Sequence, residues 1–172
     1  MALNLNKIFE FLKKTLKSLA SSDSKGSDAS RTTTTAGKPA GAAKYPGDFH
    51  GVVHYEYNPN KNGSADPGEI VWGWVPFEED HSQGKDRPVL IIGRDGKWLL
   101  GLMLTSKDKN NSAHHNPNYL DIGTGAWDRE RRPSEVKLDR IIRVSQSTVR
   151  REGAILEEKR FKTVVNALNQ HG

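Results

Sequence analysis

The chain has 172 residues, a formal charge of +5, and 34% hydrophobic and 27% charged side chains, which suits one folded domain plus some disordered chain. No apolar run approaches the roughly 20 residues of a membrane-spanning helix. The absence of cysteine excludes a disulfide scaffold, a thiolate metal site and a cysteine nucleophile, and it fits a reducing, cytoplasmic setting. The basicity is local: residues 1–44 hold eight Lys/Arg against three Asp/Glu, whereas residues 45–172 hold eighteen of each. A nucleic-acid-binding role for the folded part therefore has to rest on a patch rather than a bulk field.

Residues 1–19 predict an amphipathic helix. Leu5, Ile8, Phe9, Leu12, Leu16 and Leu19 recur at spacings of three and four, with Lys7, Lys13, Lys14 and Lys17 mostly elsewhere on the wheel. The lysines interrupt the apolar stretch that a secretory signal needs. Such a helix packs on a partner or lies on an anionic membrane surface. Residues 20–44 are Ser, Thr, Ala and Gly with almost no large apolar side chain, and they predict a flexible linker.

The texture turns to β from Tyr45, and residues 45–172 are expected to form one barrel domain. Residues 51–57 alternate and are aromatic-rich, which predicts a strand, and residues 58–63 form a turn or loop. Residues 69–75 (EIVWGWV) are a strand, and a polar loop is expected from Pro76 to Asp86. Residues 88–93 (PVLIIG) are nearly all apolar and so central and buried on both faces. Arg94-Asp95-Gly96-Lys97 supplies an Asp-Gly hairpin turn into 98–105 (WLLGLMLT). Shorter strands are expected at 119–122, 135–138 and 141–144, residues 148–155 are ambiguous, and 156–168 predict a closing helix. Short strands with one terminal helix argue for a small, mainly β barrel with helical additions.

Four ordered blocks resemble the PemK/MazF toxin family. Gly68-Glu69-Ile70-Val71-Trp72 is similar to the family's opening strand. Gln83-Gly84-Lys85-Asp86-Arg87-Pro88-Val89-Leu90-Ile91 resembles its Gly-x-x-Arg-Pro signature. Leu102-Met103-Leu104-Thr105-Ser106 resembles the later strand ending in Thr-Ser, and Lys137-Leu138-Asp139-Arg140-Ile141-Ile142-Arg143 its Leu-Asp-Gln-Ile-Arg segment. Across about residues 68–168 the resemblance implies an SH3-like barrel, a homodimer, a cognate antitoxin, and cleavage of single-stranded RNA without a metal or other cofactor. It also implies catalytic roles for Arg87 and Thr105.

Elementary chemistry is consistent with those roles. Metal-free RNA cleavage uses the adjacent 2′-hydroxyl as nucleophile, so the enzyme must stabilise charge on a pentacoordinate phosphate. A guanidinium offers fixed, forked donors for phosphoryl oxygens. Thr105 can donate a hydroxyl hydrogen bond, with Ser106 assisting. The bland readings are a strand-end ion pair from Arg87 to Asp86 or Glu79, and a threonine that merely ends a strand. His81 suits general acid–base work or is a solvated loop residue.

Gln83, Lys85, Lys107, Lys109 and Asn110 are candidate RNA contacts, with Asn111, His114 and His115 in the same polar loop. Trp127 is the candidate exposed aromatic for base stacking. His50 and His54, or His114 and His115, lack the carboxylate that would complete a familiar zinc pattern, so no metal site is expected. A catalytically silent barrel that binds protein or nucleic acid through the same face is the competing reading.

Overall fold

The computed structural model describes residues 36–38, 44–110, 113 and 115–172. The expected helix at 1–19 and most of the expected linker at 20–44 lie outside the described residues. Thr34–Gly172 forms one compact unit.

Its frame is an antiparallel sheet built from β1 (Ala36–Gly37), β2 (Glu69–Pro76), β3 (Gln83–Asp95), β4 (Trp98–Thr105), β5 (Tyr119–Gly123), β6 (Ser134–Lys137), β7 (Ile142–Ser145) and β8 (Val149–Ile155). The order is β5-β6-β4-β3-β2-β8, with β7 also on β4 and β1 on β3. A 3-10 turn, Gln146–Thr148, joins β7 to β8, and α1 (Glu158–His171) closes the chain. The mainly β fold with a C-terminal helix is the one expected, in the form of a curled half-barrel.

The apolar runs of β2, β3 and β4 are buried on both faces, and strand alternation divides them between two clusters. Ile70, Leu90, Ile92, Leu100, Leu102 and Leu104 pack with Phe161, Val164 and Leu168 of α1. Val71, Val89, Ile91 and Leu99 pack with Ile142 and Val144. Each fully buried Leu, Ile or Val contributes about 1.5–3 kcal/mol of transfer free energy, which is why these strands are central. Phe161, Val164 and Leu168 recur at three and four, so α1 buries one stripe. The hairpin runs Asp95 to Trp98, so its two loop residues are Gly96 and Lys97 rather than Asp95 and Gly96. Gly96 takes φ +57, a conformation that favours glycine.

Four stretches differ from the expectations or complete them. Residues 51–57 are a strap rather than a strand. Val53, Tyr55 and Tyr57 pack on the core, but the ladder is reduced to one bond, Glu56 N to Ile92 O at 3.0 Å. β3 already has its neighbours, and the strap takes the carbonyl left at the bulge between Ile91 and Gly93. It crosses so close that a Cβ on Gly93 would stand 2.6 Å from the His54 carbonyl oxygen. The polar loop expected to end at Asp86 ends at Ser82, because backbone pairing with β2 carries β3 back to Gln83 whatever its side chains. The ambiguous residues 148–155 contain β8, which pairs with β2. Within the expected linker, Ala36 and Gly37 pair with Gly84 and Gln83.

Candidate active-site edge

The arginine motif lies inside β3. Gly73 stands opposite Arg87 and Val75 opposite Lys85. Pairing with β4 begins only at Val89, opposite Met103, so the missing N–H of Pro88 disrupts no β3–β4 bond. Extending that register by two residues on each strand brings Arg87 level with Thr105. There β4 has turned away to β6, with Leu104 opposite Val136 and Thr105 opposite Glu135. The sheet therefore splits at the point where both motif residues sit. The expectation placed both at strand ends; only Thr105 is at one.

Arg87 is half-buried, and its side chain makes no hydrogen bond or ion pair among the described residues. Asp86, one candidate partner, pairs with Arg150 at 2.7 Å, and the other, Glu79, is exposed. Burial pulls the Arg87 guanidinium below its usual range, opposed by the nearby Tyr119 phenol. It remains a cation, half-stripped of water and without a carboxylate, and this favours an incoming anion.

Thr105 is 6% exposed. Its Oγ1 accepts the Lys107 N–H at 3.1 Å, which leaves its own hydrogen free to donate. The following loop is held by Glu135, whose Oε2 accepts from Lys109 N at 2.9 Å and Oε1 from Asn110 N at 3.1 Å. Ser106, Lys107 and Asn110 line a cleft of about 360 Å³ beside it. The side chains of Ser106, Lys107 and Lys109 are exposed.

The remaining candidates divide. Lys85 is half-buried and unpaired among the described residues. The Asn110 side chain is spent within the protein, donating to Tyr119 O and accepting from Asn116 N, so it organises the loop. Gln83 donates to Asp80 at 2.8 Å. His81 packs edge-on against Tyr45, with centroids 4.9 Å apart. Tyr45 bonds Asp48, whose partner Arg140 holds the Pro76 carbonyl. Pro76 pairs with Gly84, about 10 Å along β3 from Arg87 at strand rise. The structure does not bring His81 to Arg87 and Thr105. Glu78 pairs with Lys137 at 3.0 Å.

Trp127 is a correction: it is 3% exposed, not an exposed platform. Its Nε1 donates to Ser134 Oγ, and its carbonyl accepts from Trp72 Nε1. Gly125 was the available signal, since a Cβ there would lie 1.9 Å from the Trp127 ring folded over it. The aromatic at the edge is Tyr119, half-exposed and close to Arg87, which sequence reading placed only as a strand start. Asn111 and His114 lie outside the described residues. Among the described residues no group of three His, Cys, Asp or Glu is placed to hold a metal ion, and no helix is long and apolar enough to cross a membrane.

Residues 66–171 match the family model described as PemK-like, MazF-like toxin of type II toxin–antitoxin system. A search of curated proteins finds no match. Among solved structures, the chain is similar to one in the crystal structure of MazE-MazF (Form-II) from Deinococcus radiodurans. The identity is 18% and the TM-score 0.47, covering 62% of this chain and 94% of that one. The family match spans well over half of the sequence and contains all four blocks that carried the resemblance, so the chain belongs to the PemK-like, MazF-like toxin family of type II toxin–antitoxin systems.

Proposed function

We propose that this toxin is an endoribonuclease that cleaves single-stranded RNA by metal-independent attack of the 2′-hydroxyl, and that a cognate antitoxin restrains it. The observation that carries the reading is the half-buried Arg87 cation without an anionic partner among the described residues, level with the free hydroxyl hydrogen of Thr105. The 2′-oxygen bonds to phosphorus and the bond from phosphorus to the 5′-oxygen breaks. The proton lost by the 2′-hydroxyl is matched by the one gained at the 5′-oxygen. The products are a 2′,3′-cyclic phosphate and a 5′-hydroxyl end.

Arg87 offers its fork to the non-bridging oxygens as their charge grows, and Thr105 donates to the same phosphate. Ser106 stands beside it. Lys85, Lys107 and Lys109 supply a local cationic border on a domain without net charge. Tyr119 offers a π-face to an unstacked base. A homodimer and an antitoxin are the partners this reading carries over from the family.

The test incubates the purified chain with mixed-sequence single-stranded RNA in excess chelator, beside Arg87→Ala. Cleavage to 5′-hydroxyl ends that is lost in the variant supports the nuclease. Equal background from both proteins sinks it and leaves a silent binding barrel.

A further inference from the structure

Glu135 differs from the other carboxylates of this edge. It is 7% exposed, and no cation meets it among the described residues. A buried carboxylate is costly unless hydrogen bonds replace its lost water. Here the replacements are two consecutive backbone N–H groups, Lys109 to Oε2 at 2.9 Å and Asn110 to Oε1 at 3.1 Å, the second shared with Asp108 Oδ1 at 3.0 Å. The barrel itself gains little from a charge at this position. The next residue of β6, Val136, is fully buried in the core beside it. What the charge holds in place is the loop after Thr105.

That loop is tied down at three points. Thr105 Oγ1 takes the Lys107 N–H, Glu135 takes those of Lys109 and Asn110, and the Asn110 side chain reaches Tyr119 O and Asn116 N on the β5 side. Glu135 and Thr105 are register partners on adjacent strands, so the clamp closes directly over the threonine. With one oxygen lone pair filled by Lys107, the Thr105 hydroxyl keeps its hydrogen for an outside acceptor. Once the loop is released, the Lys107 N–H leaves Oγ1 and the hydroxyl is free to rotate onto another acceptor.

We infer that Glu135 is a positioning residue for the cleavage step: by clamping residues 107–110 it orients the Thr105 hydroxyl toward the scissile phosphate. The inference rests on the nuclease reading above. It acts through Thr105, so it belongs to the chemical step and not to ground-state binding of RNA.

The experiment measures kcat and KM of the full chain on single-stranded RNA in chelator. The variants are Glu135→Gln, Glu135→Asp, Thr105→Val and the double variant Thr105→Val/Glu135→Gln. Gln replaces one acceptor by a donor that faces an N–H. The expected loss in kcat for Glu135→Gln is about tenfold with KM nearly unchanged. Glu135→Asp, which keeps the charge but reaches less far, falls between Gln and the parent. The double variant is no slower than Thr105→Val alone, because the two residues act as one unit.

Amide hydrogen exchange supplies a readout independent of turnover. Lys107 and Lys109 lose protection in Glu135→Gln, Asn110 loses less because Asp108 Oδ1 still accepts from it, and β2, β3 and β4 keep theirs. Additive losses in the double variant, or an unchanged kcat, overturn the inference. If the Gln variant does not fold, Glu135→Asp decides: full kcat with freely exchanging loop amides overturns it. A parent chain that does not cleave RNA sinks the nuclease reading instead, which keeps the two failures apart.

Discussion

Arg87 and Trp127 show how far a residue's neighbours decide its role. Other part-buried arginines of this barrel are spent inside it: Arg140 on Asp48 and the Pro76 carbonyl, Arg143 on Asp95. Arg87 keeps its donors, so its replacement should act on catalysis and leave the fold intact. Arg87→Lys retains the charge but loses the planar fork, and a fall in kcat of about 100-fold is expected, with thermal unfolding within a few degrees of the parent. A Lys variant as active as the parent would reduce Arg87 to a point charge. Trp127→Ala should do the reverse. It empties a buried site and leaves Ser134 without its indole donor, so a loss of about 3–5 kcal/mol is expected in denaturant unfolding. RNA affinity, measured where the variant is still folded, should not move. An affinity loss without a stability loss would restore Trp127 as a stacking platform.

Among the elements, the segment 44–57, which ends in the strap, lies before the family match at 66–171 yet is fastened tightly. Arg140, 6% exposed, donates to both oxygens of Asp48 at 2.7 and 3.1 Å. Arg143 holds the Gly47 and Asp48 carbonyls at 2.9 Å and lies over the Phe49 ring. Removing one partner of such a pair leaves a buried charge alone, at a cost of about 3–5 kcal/mol, and Arg140→Ala should show it as a lowered Tm. The pH dependence has a definite sign. Burial pushes the Asp48 carboxyl up, but the hydrogen bonds from Arg140 and Tyr45 outweigh it and hold the group below its usual range. Its contribution is therefore complete above the unfolded value, roughly pH 4, and is lost as pH falls through the lower folded value. Tm measured from pH 7 down to strongly acidic buffer should drop more steeply in the parent than in Asp48→Asn. Parallel curves would show that Asp48 contributes nothing through its charge.

The same strap marks where the sequence misleads. β2, the apolar half of β3, and β4 were legible because continuous Val, Ile and Leu runs must be buried on both faces. Alternation at 51–57 reflects the inward packing of Val53, Tyr55 and Tyr57 but not a backbone ladder, which depends on whether a neighbouring strand has a free edge. Extension of β3 back through Gln-Gly-Lys-Asp-Arg was hidden for the opposite reason, since a ladder needs no apolar side chain. The Arg87 and Thr105 motifs were readable as local patterns. Tyr119, Glu135 and the buried Trp127 owe their places to contacts across strands, and a linear pattern does not carry those.

At the scale of the whole molecule, charge is distributed unevenly. Residues 34–172 hold 20 Lys/Arg against 18 Asp/Glu, so more than half of the net +5 lies before them. Eight cations of the folded unit are paired with carboxylates within it. Among the described residues Arg87, Lys85, Lys107 and Lys109 at the split edge have no such pair, and neither do Lys44, Lys61, Lys97, Arg129, Arg131 and Lys159, while the N-terminal residues add more. Counterion release separates these sources. For single strands the slope of log affinity against log salt is about 0.7 per phosphate neutralised. Binding of a non-cleavable single-stranded RNA should show a shallower slope for a chain beginning at Thr34 than for the full chain, while Arg87→Ala removes about 0.7 from either. Equal slopes for the two lengths would confine RNA contact to the barrel edge. A slope in the shorter chain untouched by Arg87→Ala would place the phosphate contacts elsewhere, and the split between β3 and β4 would lose its standing as the substrate site.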